Sequence, residues 1–230
     1  MKNILITGGN KGIGLETTKI LLELGHHVIV VARDGAPVKG LKNCDFIEYD
    51  LRNISDIPQL VNSIGKIDVL INNSGIMNTC PYDNYSEKEK DDLMKINLDA
   101  PIELITCVSK QMIERKEGRI VNVASVAGQI GHPDIWYGIS KAGLITATKS
   151  FAKILGPHGV IINAVAPGPV ETDMLATIPA ARKKTVLKSV YSSRFAKADE
   201  VAKAIVWLAI DSPEYINGTC IDINNGSFPR

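Results

Sequence analysis

Thr7-Gly8-Gly9-Asn10-Lys11-Gly12-Ile13-Gly14 is the stretch that decides the fold. It leaves a short β-branched run, Asn3–Thr7, and enters an amphipathic one, Ile13–Leu24. Glycines at a strand-to-helix turn permit a tight bend and close approach of a ligand to the backbone. The helix that follows offers unpaired N–H groups and the positive end of its dipole, which suit a pyrophosphate. The spacing is G-x-x-x-G-x-G rather than the commoner G-x-G-x-x-G, and no G-K-[ST] follows, which disfavours a P-loop. A glycine-rich turn by itself is also a plain structural loop. Its place between a strand and a helix is what selects a nucleotide.

Outward from that turn, apolar runs of strand length alternate with amphipathic stretches. Asn3–Thr7, His27–Ala32, Asp45–Tyr49, Val69–Asn72, Arg119–Ala124, Val160–Val165 and Cys220–Ile223 are short, β-branched and bounded by turn residues. Such runs are expected of parallel strands covered on both faces. Between them, Ile13–Leu24, Ile57–Ile64, Glu87–Lys116, Trp136–Leu155 and Ala198–Ala209 are helical candidates. The alternation predicts an α/β chain: one doubly wound domain over residues 1–230, with a seven-stranded, mostly parallel sheet and helices on both faces. One connection is thin. Arg33 to Asp45 holds Gly35, Pro37 and Gly40, lacks helical periodicity, and is predicted to cross as a loop or a single turn.

Composition narrows the function classes. The formal net charge of +1 gives no case for nucleic acid or an anionic membrane as partner. There is no 18-residue apolar run to span a bilayer. The four-residue run after Met1-Lys2-Asn3 is too short for the apolar region of a signal peptide. Cys44, Cys80, Cys107 and Cys220 are scattered, so buried free thiols in a reducing cytoplasm are expected. His26, His27, His132 and His158 show no metal-ligand spacing, and no metal is predicted.

Tyr137-Gly138-Ile139-Ser140-Lys141 carries the chemistry. Four residues apart on a helix, the phenol and the ammonium share a face. A free phenol titrates near ~10, and a fixed cation nearby is predicted to lower that value. The pair then suits proton transfer to or from an alcohol oxygen. Alone, Y-x-x-x-K is also an ordinary solvated helix face.

The second strand bears on which nucleotide. An acidic residue at its end would hold the ribose hydroxyls of NAD, but that position falls at Ala32. Arg33 stands next to it and Lys11 lies in the glycine turn; two cations suit the 2′-phosphate of NADP. Asp34 is the counter-signal: a register slip of two makes it the NAD-selecting acid, or it salt-bridges Arg33. Asp50, with Leu51 beside it, ends the third strand and is placed to accept from the adenine amino group; its plain reading is a turn-capping carboxylate.

Taken in order and spacing, Thr7–Gly14, Asn72-Asn73-Ser74-Gly75, Asn97, Ser125, Tyr137 with Lys141, and Pro167-Gly168 resemble the classical short-chain dehydrogenase/reductase family, with its Rossmann-type fold. The resemblance covers nearly the whole chain. Within the family, Pro167-Gly-Pro-Val-Glu-Thr-Asp-Met174 is similar to the lid entrance of bacterial 3-oxoacyl-[acyl-carrier-protein] reductases. The resemblance implies a catalytic set of Asn97, Ser125, Tyr137 and Lys141. Tyr137 would be general acid in reduction and general base in oxidation. Lys141 would lower the tyrosine pKa and hold the nicotinamide ribose. Ser125 would polarise the carbonyl, and Asn97 would hold a water linking Lys141 to solvent. It further implies that Gly8, Asn10, Lys11, Gly12, Ile13 and Gly14 cradle the pyrophosphate. Asn73, Ser74 and Gly75 would line the adenosine ribose side, and Pro167, Gly168 and Val170 would flank the nicotinamide. Each residue also has a bland reading: Ser125 as a helix cap, Asn97 as a solvated helix residue, Asn72–Gly75 as a turn.

The implied function is an NADPH-dependent reductase of a 3-oxoacyl thioester, with NAD(H) possible as cofactor. The alternatives are an NAD(P)-dependent dehydrogenase of a sugar, polyol or other small alcohol, and a non-catalytic nucleotide sensor. Residues 175–194 are expected to form a lid, and its Arg182, Lys183, Lys184 and Lys188 suit an acyl carrier protein or a phosphopantetheine phosphate as readily as solvent. Of two carrier-docking basic positions near the active-site mouth in those reductases, Lys116 keeps the charge and His158 does not. Tyr191 and Ser192 stand where proline and a small residue are common, which predicts a different pocket. The resemblance also implies a homotetramer or homodimer through Glu87–Lys116 and Trp136–Leu155, with the ending Asn224–Arg230 near a neighbouring subunit.

Overall fold

A computed structural model of the chain describes residues 1–78, 81–176 and 178–229. Among them the strands are β1 (Asn3–Thr7), β2 (His27–Ala32), β3 (Cys44–Glu48), β4 (Val69–Asn72), β5 (Gly118–Val123), β6 (Val160–Pro167) and β7 (Cys220–Ile223). The helices are α1 (Gly12–Glu23), α2 (Ile57–Ile64), α3 (Glu87–Met94), α4 (Ala100–Arg115), α5 (Ala127–Ile130), α6 (Ile135–Leu155), α7 (Asp173–Ala176), α8 (Ala180–Ser189) and α9 (Ala198–Val206).

The strands form one sheet in the order β3-β2-β1-β4-β5-β6-β7. Every pairing is parallel, so the expected mostly parallel sheet is wholly parallel among the described residues. Side chains alternate across it: Ile4 and Ile6 pack on one face with Leu21 of α1 and Val201 of α9, while Leu5 packs on the other with Leu60 of α2 and Leu104 of α4. Both faces are therefore dry, which is why the strands read as unbroken apolar runs.

The chain winds outward from β1 through β2 to β3, then returns to β4 on the other side of β1. That reversal opens a crevice beyond the C-terminal ends of β1 and β4, where parallel sheets bind ligands. Thr7 closes its floor: its Oγ1 accepts from the backbone N–H groups of both Asn73 and Ser74.

Two connections depart from the simple pattern. Residues 33–43 cross as a turn, pinned by the buried Val38, and hold no helix. The helix expected over Glu87–Lys116 is interrupted by a π turn at Lys95–Asp99. Pro101 has no N–H to give the carbonyl of Asn97 four residues earlier, so the α-helical ladder cannot run through that turn. Cys44, Cys107 and Cys220 are half-buried rather than buried, and Cys80 lies outside the described residues. Among the described residues no helix is long and apolar enough to cross a membrane.

Candidate active site

The glycine turn fits a dinucleotide. Gly8 sits at φ +65°, and a Cβ on Gly14 would lie 2.0 Å from the Gly8 carbonyl oxygen, so the turn closes only on glycine. Lys11 at the N-cap of α1 gives the helix no side-chain cap, and its first turn contains no acidic residue. The leading N–H groups of α1 thus remain for a pyrophosphate. Asn73 donates to the carbonyls of Thr7 and Gly8, locking the β4 end to the turn. Asn10 donates to the Asp34 carbonyl, 2.9 Å, drawing the β2 tip against it.

A cavity of about 440 Å³ runs from this turn to the lid. Ile13, Asn73, Gly75, Pro167, Gly168 and Val170 line it, as do Ser125, Tyr137 and Lys141. The other expected cofactor residues, Gly8, Asn10, Lys11, Gly12, Gly14, Arg33, Asp50 and Ser74, belong to the turn and strand tips beside it. Leu51 follows Asp50 on the same tip, with its side chain buried in the core cluster with Leu60 of α2.

The reacting wall is rigid. Ser125 stands beside the Tyr137 phenol and lowers its proton affinity, and Ser125 Oγ accepts from the Ala127 N–H, 3.1 Å. Lys141 is 3% exposed and donates from Nζ to the Val123 carbonyl, 2.8 Å. Gly75 leaves room for it, since a Cβ there would lie 3.2 Å from Nζ. Asn97, in the π turn, is fully buried. Its amide clasps the backbone of Ile76 in both directions and donates to Ser140 Oγ, which in turn donates to the Tyr137 carbonyl. The four expected catalytic residues are brought together, the Asn97 side chain being engaged with Ile76 and with Ser140 of α6.

The electrostatics differ from expectation. Burial pushes the Tyr137 phenol above its ordinary value; Ser125 pulls against this and Asp134 adds to it. The ammonium faces the Val123 carbonyl, 5.8 Å from the tyrosine ring centroid, and does not lower the phenol here. Lys141 is itself drawn down by burial to about 8. Desolvation thus drives the two groups' proton affinities apart, the phenol up and the ammonium down.

The lid enters at the Val170–Ala196 bridge and carries α7 and α8. Leu175, Ile178, Arg182 and Val186 of the lid turn to the cavity, while Lys184 and Lys188, one turn apart on α8, are exposed. Thr177 lies outside the described residues.

A model of the short chain dehydrogenase family matches residues 2–183. A 3-oxoacyl-[acyl-carrier-protein] reductase of Thermotoga maritima is 34% identical, over 98% of this chain and 97% of that one. The chain belongs to the short chain dehydrogenase family. It is accordingly an oxidoreductase of a nicotinamide dinucleotide. Two solved family structures superpose closely. One, 4-hydroxyisoleucine dehydrogenase complexed with NADH, has a TM-score of 0.93 at 28% identity over 99% of both chains. The other, a gluconate 5-dehydrogenase from Burkholderia cenocepacia with NADP and tartrate, has a TM-score of 0.91 at 26% identity, covering 98% of this chain and 94% of that one.

Several family-based expectations are relocated. Lys116 and His158 are exposed and adjoin each other through Gly159, but they precede β5 and β6. A six-residue strand is about 20 Å long, so within one chain they stand at the opposite end of the strands from Ser125. Tyr191 and Ser192 do not line the cavity; they clamp the C-terminal segment, each donating its backbone N–H to Asn225. Asp34 does not pair with Arg33: it accepts from the Ala36 N–H in its own loop. Asp50 is held by Arg52, which keeps its carboxyl at about 2, and Arg52 also bridges to Asp92. Arg230 lies outside the described residues.

Residues not singled out from the sequence complete the site. Asp134 is 4% exposed and caps α6, accepting from the Tyr137 N–H, the Asn78 N–H and the Tyr85 hydroxyl. An Asp three residues before a helical tyrosine is a legible N-cap signal. Arg182 reaching His132 is a tertiary contact with no sequence signal.

Proposed function

We propose that the chain reduces the ketone of a 3-oxoacyl compound, carried as a thioester, with NADPH preferred over NADH. The observation that carries the chemistry is that Ser125, Tyr137 and the buried Lys141 share one cavity wall. A bound dihydronicotinamide supplies the hydride. Ser125 and Tyr137 both donate to the carbonyl oxygen as negative charge gathers there. The Tyr137 O–H proton passes to that oxygen, leaving a phenolate that burial disfavours. Lys141, titrating near 8, holds a proton at neutral pH that can restore the phenol. In this reading Asn97 anchors a water that refills Lys141 from solvent.

NADPH is favoured because Arg33 and Lys11 are exposed cations on either side of the ribose position, without an ion-pair partner among the described residues. Asp34 is engaged in its own turn. The thioester follows from the names of relatives. A carrier protein as donor, and a dimer or tetramer through α4 and α6, belong to the same proposal; Ile135, Ile139 and Ile154 on α6 are exposed and support the assembly. A second reading, a small hydroxy acid or polyol as substrate, is favoured by one arginine inside the lid.

The test is loss of absorbance at 340 nm with acetoacetyl-CoA, run in parallel with NADPH and NADH. Rapid loss with NADPH alone is expected. Faster loss with NADH sinks the cofactor preference. No loss with either, alongside turnover of a small oxo acid or polyol, replaces the thioester.

A further inference from the structure

Two donor side chains meet on the lid side of the cavity, with no acceptor between them among the described residues. His132 accepts the Asp134 backbone N–H at Nδ1, 3.1 Å, and its Nε2 lies 2.8 Å from Nη2 of Arg182. A neutral imidazole has one acceptor nitrogen, and a guanidinium has donors only. With Nδ1 accepting, Nε2 carries the proton and points an N–H at Arg182. The other tautomer moves the same conflict to Asp134, and the imidazolium has it at both nitrogens. In every protonation state a donor meets a donor. Arg182 has no carboxylate in ion-pair range among the described residues. Both side chains line the cavity that holds Ser125 and Tyr137, and the His132 ring packs edge-on against Tyr137 with centroids 5.2 Å apart.

We propose that His132 and Arg182 form a seat for a carboxylate carried by the substrate itself, in the same cavity as Tyr137 and Ser125. An oxygen seated against both Nε2 and Nη2, the two nitrogens parting to admit it, accepts from both and removes the conflict. The guanidinium fork then fixes the carboxylate's orientation. The His132 ring packed against Tyr137 puts the seat at the reacting end of the cavity, which favours a short substrate. A carboxylate one or two carbons from the reacting ketone reaches the seat, as in a 2- or 3-oxo acid. The phosphate of a pantetheine thioester lies a whole pantetheine arm away from its ketone. Leu175, Ile178 and Val186 of the lid suit the hydrocarbon remainder. Because His132 precedes α6 and Arg182 sits on α8, an anion bridging them also ties the lid to the wall. This inference rests on the Tyr137–Ser125 reading and develops its second substrate reading, the small hydroxy acid, against the thioester.

The experiment compares acetoacetate with methyl acetoacetate, its uncharged analogue, by NADPH oxidation and by binding. Binding is read from the fluorescence of NADPH on the Tyr137→Phe variant, where the ternary complex does not turn over. The expected result is saturable acetoacetate binding, with kcat/KM for the acid roughly tenfold or more above that for the ester. Arg182→Met should lower that acid-to-ester ratio by about 10- to 100-fold, and Arg182→Lys should restore part of it. Lys184→Met, on the outer face of α8, should leave the ratio unchanged. A wild-type preference for the ester or for acetoacetyl-CoA overturns the proposal. So does acetoacetate binding that survives Arg182→Met. Turnover by Tyr137→Phe would instead overturn the site reading, and the ratios would still report on the seat.

Discussion

Helix α6 forms a wall of the cavity and buries eight of its 21 residues, Tyr137, Ser140 and Lys141 among them. Helix α8 roofs the same cavity and buries none. The wall is fastened by Asp134 at its N-cap, by Asn97 through Ser140, and by Lys141 to β5. The roof is fastened at its base, by the Val170–Ala196 bridge, and by Tyr191 and Ser192 to Asn225. Such a division places immobile, desolvated groups where a proton must move, and loosely held ones where a substrate must enter. Damage to the wall should therefore change chemistry and pKa, and damage to the roof should change selection.

The largest effect expected on the wall is that of Tyr137→Phe. It removes the acid and leaves the ring, so turnover should fall about 10²- to 10⁴-fold while NADPH affinity stays near wild type. Equal loss of dinucleotide binding, measured by fluorescence titration, would mean that the residue builds the site rather than reacting in it.

Next comes the cost of burying Lys141. Its proton affinity is 10.5 in the open chain and about 8 when folded. The difference corresponds to about 3 kcal/mol at ~1.4 kcal/mol per pH unit. Below pH 8 both states hold the proton and the penalty is complete. Between 8 and 10 the unfolded chain keeps a proton that the folded one has lost, so stability rises with pH. Above 10 the raised phenol of Tyr137 reverses the slope, because the unfolded tyrosine ionises first. Urea denaturation at intervals from pH 7 to 10 should show this rise in wild type and not in Lys141→Met. Parallel curves for the two proteins would place the lysine's charge in water.

Much of the wall was legible beforehand, because its signals are local. The glycine turn, the β-branched runs and the Tyr137–Lys141 spacing each reflect a short-range rule, and β1, β2, β4 and β7 fall on their expected bounds. The π turn was carried by Pro101, a local signal passed over in favour of helical periodicity. The roof was not legible in the same way. The four basic residues of the lid sequence do not say which one turns inward; that depends on how α8 sits on His132, fifty residues away. The phenol's pKa was misjudged for a related reason. Spacing puts the lysine on the right face, but only packing shows that its ammonium is turned to the Val123 carbonyl.

Arg33 tests a third position, the exposed tip of β2 between wall and solvent. Replacing it with alanine removes a phosphate contact and no packing, since the residue is exposed. NADPH should weaken by about 10- to 100-fold and NADH by less than twofold or so. The readout is the ratio of the two dissociation constants; a ratio that does not move would assign the ribose to Lys11 or Asp34.

The smallest effect is reserved for the outer face of the roof. Lys184 and Lys188 are exposed, and among the described residues neither forms an ion pair. Lys184→Ala with Lys188→Ala should change stability by less than about 0.5 kcal/mol, since no contact is lost and α8 gains slightly in helix propensity. The same double variant separates two uses of the roof. If an acidic carrier docks there, KM for a carrier-linked substrate should rise and become less sensitive to salt, while KM for a free small substrate holds. If both hold at low and high salt, the outward lysines only keep α8 solvated, and the selectivity of the roof belongs to the face that Arg182 occupies.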